Sequence, residues 1–263
     1  MTAQAPPRTS LATETLLFAS HLLTRWRRQP MVLIQALVFP TFLLIAYKLL
    51  VGKSIIRITG TESLYGLVPM CAVAGAMFGA LATGRRMWID RDSGLIGRLW
   101  VFPVHRASAL TGRLLAEAAR TLVSASLITA VGVGLGLRFK GGLLTVIPFV
   151  LVPVLVVVVF SMAVIAIAVR ARTGSALMWL GVPSTGAVFA SSGVVPTQTL
   201  PSWVRVEIRL QPMWAMIESM RGLAQGGPVL WPLLVTLMWV LGLAAVLGPL
   251  AVRGYRAAAE SGH

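Results

Sequence analysis

Charge is what this sequence has least of. Of its 263 residues 12% are charged, only eight are carboxylates, and asparagine is absent. A soluble domain carries about 25% charged side chains, so this chain cannot cover a water-facing surface. Cys71 is the single cysteine and sits in an apolar run. That excludes an internal disulfide and a Cys-rich metal site. With no histidine or base near it in sequence, it reads as a small buried hydrophobe. The three histidines, His21, His105 and His263, are isolated from one another. No Ser/His/Asp set, carboxylate pair or metal-ligand spacing occurs in a plausible site, which argues against a hydrolase or a metalloenzyme.

What is abundant is apolar: 57% of the residues are hydrophobic and the mean hydropathy is +0.83. The chain reads as an all-α polytopic membrane protein with six transmembrane helices, each near the ~20 apolar residues that a bilayer core requires. The expected spans are 31–51, 63–84, 109–137, 143–169, 176–195 and 229–252 within a transmembrane domain over 29–256. Pro40, Pro69, Pro148, Pro153 and Pro183 inside them mark kinks of the sort that bundles tolerate. Residues 1–10 and 257–263 read as tails. No short apolar segment followed by a small-residue cleavage site precedes the first span, so a cleavable signal is not expected.

Between the first tail and the first span, residues 11–28 read as an interfacial amphipathic helix. Leu11, Phe18, Ala19, Leu22, Leu23 and Trp26 fall on one side; Glu14, Ser20, His21, Thr24, Arg25 and Arg28 fall opposite. The net charge of +15 would point to nucleic acid in a soluble protein. Here the arginines gather at span ends, and no basic stripe is interleaved with aromatics. Fifteen of them lie on segments that are cytoplasmic if the N-terminus is inside, against eight Lys and Arg on the other side. That excess places both termini in the cytoplasm. The excess of Arg over Lys and the absence of Asn hint at a GC-rich bacterial genome, and the expected location is the bacterial plasma membrane.

Several glycine patterns imitate nucleotide sites. Gly52-Lys53-Ser54 resembles the end of a phosphate-binding loop, but the required upstream Gly is replaced by Tyr47. Gly132, Gly134 and Gly136, like Gly75 and Gly79, lack a βαβ setting and read as close helix packing. Arg113, Glu117 and Arg120 share one face of the third span at helical spacing. An ionisable residue inside a span is a functional candidate by default. Anchoring at the cytoplasmic end competes with a role at the inner mouth of a translocation path. Pro196–Gly227 is too polar to cross a membrane alone. Within it Trp203–Leu210 alternates apolar and charged residues, a strand-like period, whereas Met213–Ala224 places Met213, Ile217 and Met220 on one helical face. Two short elements on the outer surface, or re-entering the membrane, are expected there.

The least ordinary polar stretch is Asp90–Arg106, DRDSGLIGRLWVFPVHR. At a helical step Leu95, Ile96, Leu99, Trp100 and Phe102 share one face, and Asp90, Arg91, Gly94, Gly97 and Arg98 fall on the other. Pro103 ends the helix. Asp90-Arg91, Gly94, Arg98-Leu99 and Pro103-Val104 together resemble the loop between the second and third spans of ABC-2 type transporter permeases. The string DSGLIGRLWVFPVHRAS resembles in particular the DrrC-like permeases of daunorubicin- and doxorubicin-resistance exporters. Gln211-Pro212 followed by Arg221-Gly222 is similar to the Asn-Pro…Arg-Gly pattern before the last span of that family, with Gln in place of Asn.

The resemblance implies a permease subunit of an ABC-2 exporter that moves lipophilic drugs or complex cell-envelope lipids, such as phthiocerol dimycocerosates. It implies that Asp90, Arg91, Gly94, Leu95, Arg98, Leu99, Trp100, Phe102 and Pro103 form a cytoplasmic coupling helix. It also implies short extracellular helices before the last span and no cofactor in this chain, with ATP and Mg on a partner. The implied partners are a DrrA-like ATPase subunit, a DrrB-like second permease or a second copy of this chain, and membrane lipids. The rival classes are an ATP-independent secondary transporter and a non-transporting membrane scaffold. A transporter of the first kind usually shows internal repeats and ion-coupling residues inside its spans. No clear repeat is visible, and Glu117 is the only acid within a span.

Overall fold

A computed structural model describes residues 10–28, 34–60, 62–92, 108–171, 173–191, 193 and 201–260. Nine α-helices and no strand are found among these described residues. Helix α1 spans Leu11–Arg27, α2 Phe39–Thr59, α3 Leu64–Asp92, α4 Ser108–Gly134 and α5 Val146–Ala168. They are followed by α6 (Ala176–Phe189), α7 (Ser202–Leu210), α8 (Pro212–Gln225) and α9 (Leu230–Glu260). A π-helical turn, Ile34–Val38, leads into α2, and a 3₁₀ turn, Leu143–Thr145, leads into α5.

Local chemistry sets the helix ends. Ser10 caps α1 by accepting the Thr13 backbone N–H at 3.2 Å, satisfying one of the donors that a helix start leaves free. Glu14 in its first turn and Arg25 and Arg27 in its last complement the helix dipole. Helix α2 stops at Gly60, which adopts φ 66° and donates to the Ile56 carbonyl, a left-handed cap that costs glycine little. Between α7 and α8 the break is written as Gln211-Pro212. The residue before a proline is pushed to extended backbone, and Gln211 has ψ 137°. Pro212 then occupies the first turn of α8, where its missing N–H is no loss.

Five helical segments are long and apolar enough to cross a membrane: Phe39–Arg57, Leu64–Asp92, Ser108–Gly134, Leu143–Ala168 and Leu230–Tyr255. The chain is thus a multi-pass membrane protein. The fifth expected span, 176–195, yields a helix of only 14 residues, about 21 Å long. Other bounds move outward: α2 continues to Thr59 rather than 51, α3 to Asp92 rather than 84, and α9 to Glu260 rather than 252. Residues 257–260, read as tail in the sequence, are helical. Apolar runs locate the membrane-embedded part of a helix, while its polar extension into water continues on backbone hydrogen bonds alone.

Helix α3 is the axis of the molecule, buried on every side from Leu64 to Met77. Helices α2, α4, α5, α6 and α8 pack around it. Glycines permit close approach where side chains meet it: a Cβ on Gly75 would lie 2.6 Å from Pro40, and one on Gly132 would lie 2.7 Å from Val68. Close helix packing therefore explains Gly75 and Gly132. Gly134 faces open space, and Gly136 is instead the residue that turns the chain, at φ 117°. Helix α9 lies outermost and leaves Trp231, Met238 and Leu241 exposed, as expected of a surface that meets lipid or another subunit.

Two further expectations fail. Trp203–Leu210, read as strand-like, is helical. With no partner strand among the described residues, only a helix can satisfy its backbone groups locally. Glu14, placed on the polar side of α1, is 4% exposed. Helix α1 runs beside the first half of α4, pairing Thr15 with Thr111 at 2.9 Å and laying Phe18 against Gly112. That contact turns part of its polar face inward while Ala19 and Trp26 stay buried as expected.

Candidate functional site

Two ends of the bundle can be told apart by their ties. At one, Arg25 of α1 bridges Asp90 of α3 at 3.2 Å. Arg91 donates to the Ala171 carbonyl after α5 at 2.9 Å, and Arg170 donates to Leu250 of α9 at 2.9 Å. At the other, Tyr65 donates to the Arg138 carbonyl at 3.1 Å and the Lys140 N–H to the Ala224 carbonyl at 2.9 Å. Arg221 pairs with Glu218 at 3.1 Å, and its Nη2 lies 2.7 Å from the place a Cβ on Gly66 would take. The Gln211-Pro212 corner and Arg221 thus belong to one structure, α8 folded against the start of α3.

Of the residues implied as a coupling helix, Asp90 and Arg91 close α3 and are the two just described. Gly94, Leu95, Arg98, Leu99, Trp100, Phe102 and Pro103 lie outside the described residues. Residues 93–107 leave from the arginine-rich end of α3 and return at Ser108, the start of α4. Of the helices that bracket them, α3 is tied to α1 through Arg25 and to the end of α5 through Ala171, and α4 to α1 through Thr15 and Thr111.

The trio Arg113, Glu117 and Arg120 comes together in a seam between α1, α3 and α4. Glu117 is 1% exposed. Its Oε2 accepts from Arg120 Nε at 3.1 Å and Nη2 at 2.6 Å. Its Oε1 accepts from the Thr83 hydroxyl, and Arg113 donates to the Thr83 carbonyl. The second face of Arg120 lies toward Trp26 of α1, 6.0 Å from the ring centroid, within cation–π range. Space for the guanidinium exists because residue 79 is glycine: a Cβ there would collide with Arg120 Nη1. Nη1 has no hydrogen-bond partner. A buried ion pair depends on partners for its remaining polar groups; Thr83 serves the second carboxylate oxygen and Trp26 faces the guanidinium, which leaves Nη1 unsatisfied. Those two partners were missed from sequence, and Gly79, read there as a close-packing residue, was not linked to Arg120. The available signal was a glycine and a hydroxyl one helical turn apart on the neighbouring span.

On the other side of α3 lies a cavity of about 990 Å³ between the start of α2, the lower half of α3 and α6. Phe39, Phe78, Leu81, Trp88, Leu177, Met178 and Phe189 form its walls, and Ser175 and Thr185 add hydroxyls. Among the described residues Arg85 is the only ionisable one that lines it. Neither Arg113, Glu117 nor Arg120 reaches it. Pockets of this size and composition hold drug-sized ligands. Among the described residues no three His, Cys, Asp or Glu side chains approach closely enough to hold a metal ion.

Residues 14–224 match the family model for ABC-2 type transporters, a stretch running from the first turn of α1 through α8. Among similar proteins, the probable doxorubicin resistance ABC transporter permease protein DrrC of Mycobacterium tuberculosis is 36% identical over 246 residues, covering 93% of this chain and 89% of that protein. The daunorubicin resistance ABC transporter permease protein DrrB1 of Streptomyces coeruleorubidus is 27% identical over 260 residues, covering 96% and 89%. With the family model covering most of its length and a relative this similar aligned over most of both chains, the chain belongs to the ABC-2 type transporter family, as one of its membrane permeases.

Proposed function

We propose that the chain is the permease subunit of an exporter that carries lipophilic drugs or complex envelope lipids across the bacterial plasma membrane. A separate cytoplasmic ATPase, comparable to DrrA, binds ATP and Mg and does the hydrolysis. A DrrB-like permease or a second copy of this chain completes the pathway. The observation that carries the mechanical part is the bracketing of residues 93–107. Helix α3, which leads into it, is tied at that end to α1 by Arg25–Asp90 at 3.2 Å and to the end of α5 by Arg91–Ala171 at 2.9 Å, and α4, which follows it, is tied to α1 by Thr15–Thr111 at 2.9 Å. A push on such a segment moves α1, α3, α4 and α5 together rather than bending a free loop. Leu95, Leu99, Trp100 and Phe102 anchor the coupling helix, and Arg91 and Arg98 make its polar contacts to the ATPase.

The arginine-rich end faces the cytoplasm in this reading, in keeping with the bias of Arg toward that side. Helix α6 begins beside Trp88 at that end, where Gly174 would bring a Cβ to 3.4 Å of the ring. It finishes with Phe189 stacked on Tyr47, 6.0 Å between centroids, toward the other end. In this reading it serves as a sixth crossing, and both termini lie inside. The Arg113–Glu117–Arg120 seam acts as the clamp between α1 and the α3–α4 pair, rather than as the inner opening of the path.

Co-expression with a DrrA-like ATPase subunit, followed by purification, tests the proposal. The complex is expected to hydrolyse ATP and to respond to lipophilic substrates, and the permease alone is expected to hydrolyse none. ATP hydrolysis by the permease alone would overturn the reading. So would transport that a proton ionophore abolishes while ATP stays high.

A further inference from the structure

We infer that the cavity between α2, α3 and α6 receives a lipophilic cargo bearing one anionic group, and that Arg85 is the residue selecting for that charge. That the occupant is cargo rests on the export reading; that the cavity prefers an anion does not. The walls are apolar and aromatic, and the volume of about 990 Å³ fits a drug-sized molecule. Along α3 the cavity runs from Phe78 to Trp88, ten residues or about 15 Å. The one charge that described residues give it, Arg85, sits near the cytoplasmic end, three residues before Trp88. The positions one turn either side of Arg85 on α3 are Leu81, Ala82, Trp88 and Ile89, so that helix places no carboxylate beside it. No other side chain lining the space is acidic. Asp90, the next acid along α3, is held by Arg25 at 3.2 Å.

An apolar molecule with a carboxylate, sulfonate or phosphate would bury its body against Phe39, Phe78 and Phe189 while its anion stays at Arg85. Small residues leave the room: Gly181 faces Leu81, where a Cβ would come to 2.9 Å, and Gly174 faces Trp88. An amine-bearing amphiphile of the same shape meets the wrong sign of charge. One arginine near a membrane surface contributes ~1 kcal/mol toward an anion, about fivefold in occupancy. The committed occupant is a free lipophilic anion, not a bilayer lipid and not a second copy of this chain.

Trp88 supplies the reporter. The purified chain in nanodiscs is titrated with dibromostearate, its uncharged methyl ester and the matching dibrominated amine, all carrying the same quenching chain. The Trp88 contribution is the difference between wild type and Trp88→Phe; Phe189→Trp in the Trp88→Phe background restores a reporter on a second wall. Half-quenching of this contribution is expected at about fivefold lower mole fraction for the anion than for the ester, and at the highest mole fraction for the amine. Arg85→Gln is expected to make the three coincide. Equal quenching by all three, or a preference that survives Arg85→Gln, overturns the inference. So does equally strong quenching by brominated phosphatidylglycerol, the sign of a lipid site, or no quenching by any probe, the sign of a cavity closed by another subunit. In the ATPase complex, efflux of the anion is expected to fall about fivefold in Arg85→Gln. An anion preference without ATP-driven efflux would leave the binding inference standing and sink the export reading.

Discussion

Replacing Glu117 by Gln removes the one carboxylate that the seam sets between two guanidiniums. The paired side chains of Glu117 and Arg120 are 1% and 7% exposed, so water does not take over when the charge is lost. Arg120 Nη1 already lacks a partner. After the substitution its Nε and Nη2 face a neutral amide instead of a carboxylate. Breaking a buried pair from one side costs about 3–5 kcal/mol, whereas replacing both partners with apolar residues of similar volume is near neutral. Gln keeps the volume and can still accept from Thr83, so the lower figure, about 3 kcal/mol, is expected for Glu117→Gln. The double variant Glu117→Gln/Arg120→Met is expected to be more stable than this single variant by about 2 kcal/mol, because it removes the stranded charge. Unfolding of the purified chain by denaturing detergent, followed by tryptophan fluorescence, measures both. Trp26, 6.0 Å from the guanidinium, reports on the seam directly. If the double variant loses as much stability as the single, or the single loses less than about 1 kcal/mol, the charge is not stranded and the seam reasoning is wrong.

Other consequences follow from single residues. Gly79→Val is expected to displace Arg120 and to mimic Glu117→Gln in the same unfolding measurement, while Gly134→Val, facing open space, is expected to be silent. Gly136→Ala is expected to destabilise by about 1–2 kcal/mol, because φ 117° is strained for a residue with a Cβ. Asp90→Arg is expected to cost less than about 1 kcal/mol, since Arg25 and Asp90 are partly solvated. Its effect should appear in transport per ATP hydrolysed, and Arg25→Asp combined with Asp90→Arg should restore that ratio.

Much of the architecture was legible because each long apolar run has one physical solution in a bilayer. Five of the six apolar runs hold helices long enough to cross, while 176–195 holds a helix of only 14 residues. The polar ends at Thr59, Asp92 and Glu260 were not legible, since nothing apolar marks where a helix stops in water. Trp203–Leu210 misled because alternation over eight residues fits either period, and the partner strand that would decide lies in three dimensions. Glu14 misled because its burial depends on α4, which is distant in sequence. The Arg113, Glu117 and Arg120 grouping was readable as helical spacing within one element. Thr83, Gly79 and Trp26, each contributed by another helix, were not. Arg85 stood in sequence as one arginine among the many at span ends; only the cavity beside it sets it apart.

Reconstitution of the permease with its ATPase in sealed vesicles, carrying Leu99→Asp in the segment between α3 and α4, measures the ratio of cargo exported to ATP hydrolysed. Hydrolysis that continues while export collapses, at normal abundance of the complex, is the expected result. Export at the wild-type ratio would contradict the claim that this segment transmits the work of the ATPase to the helices.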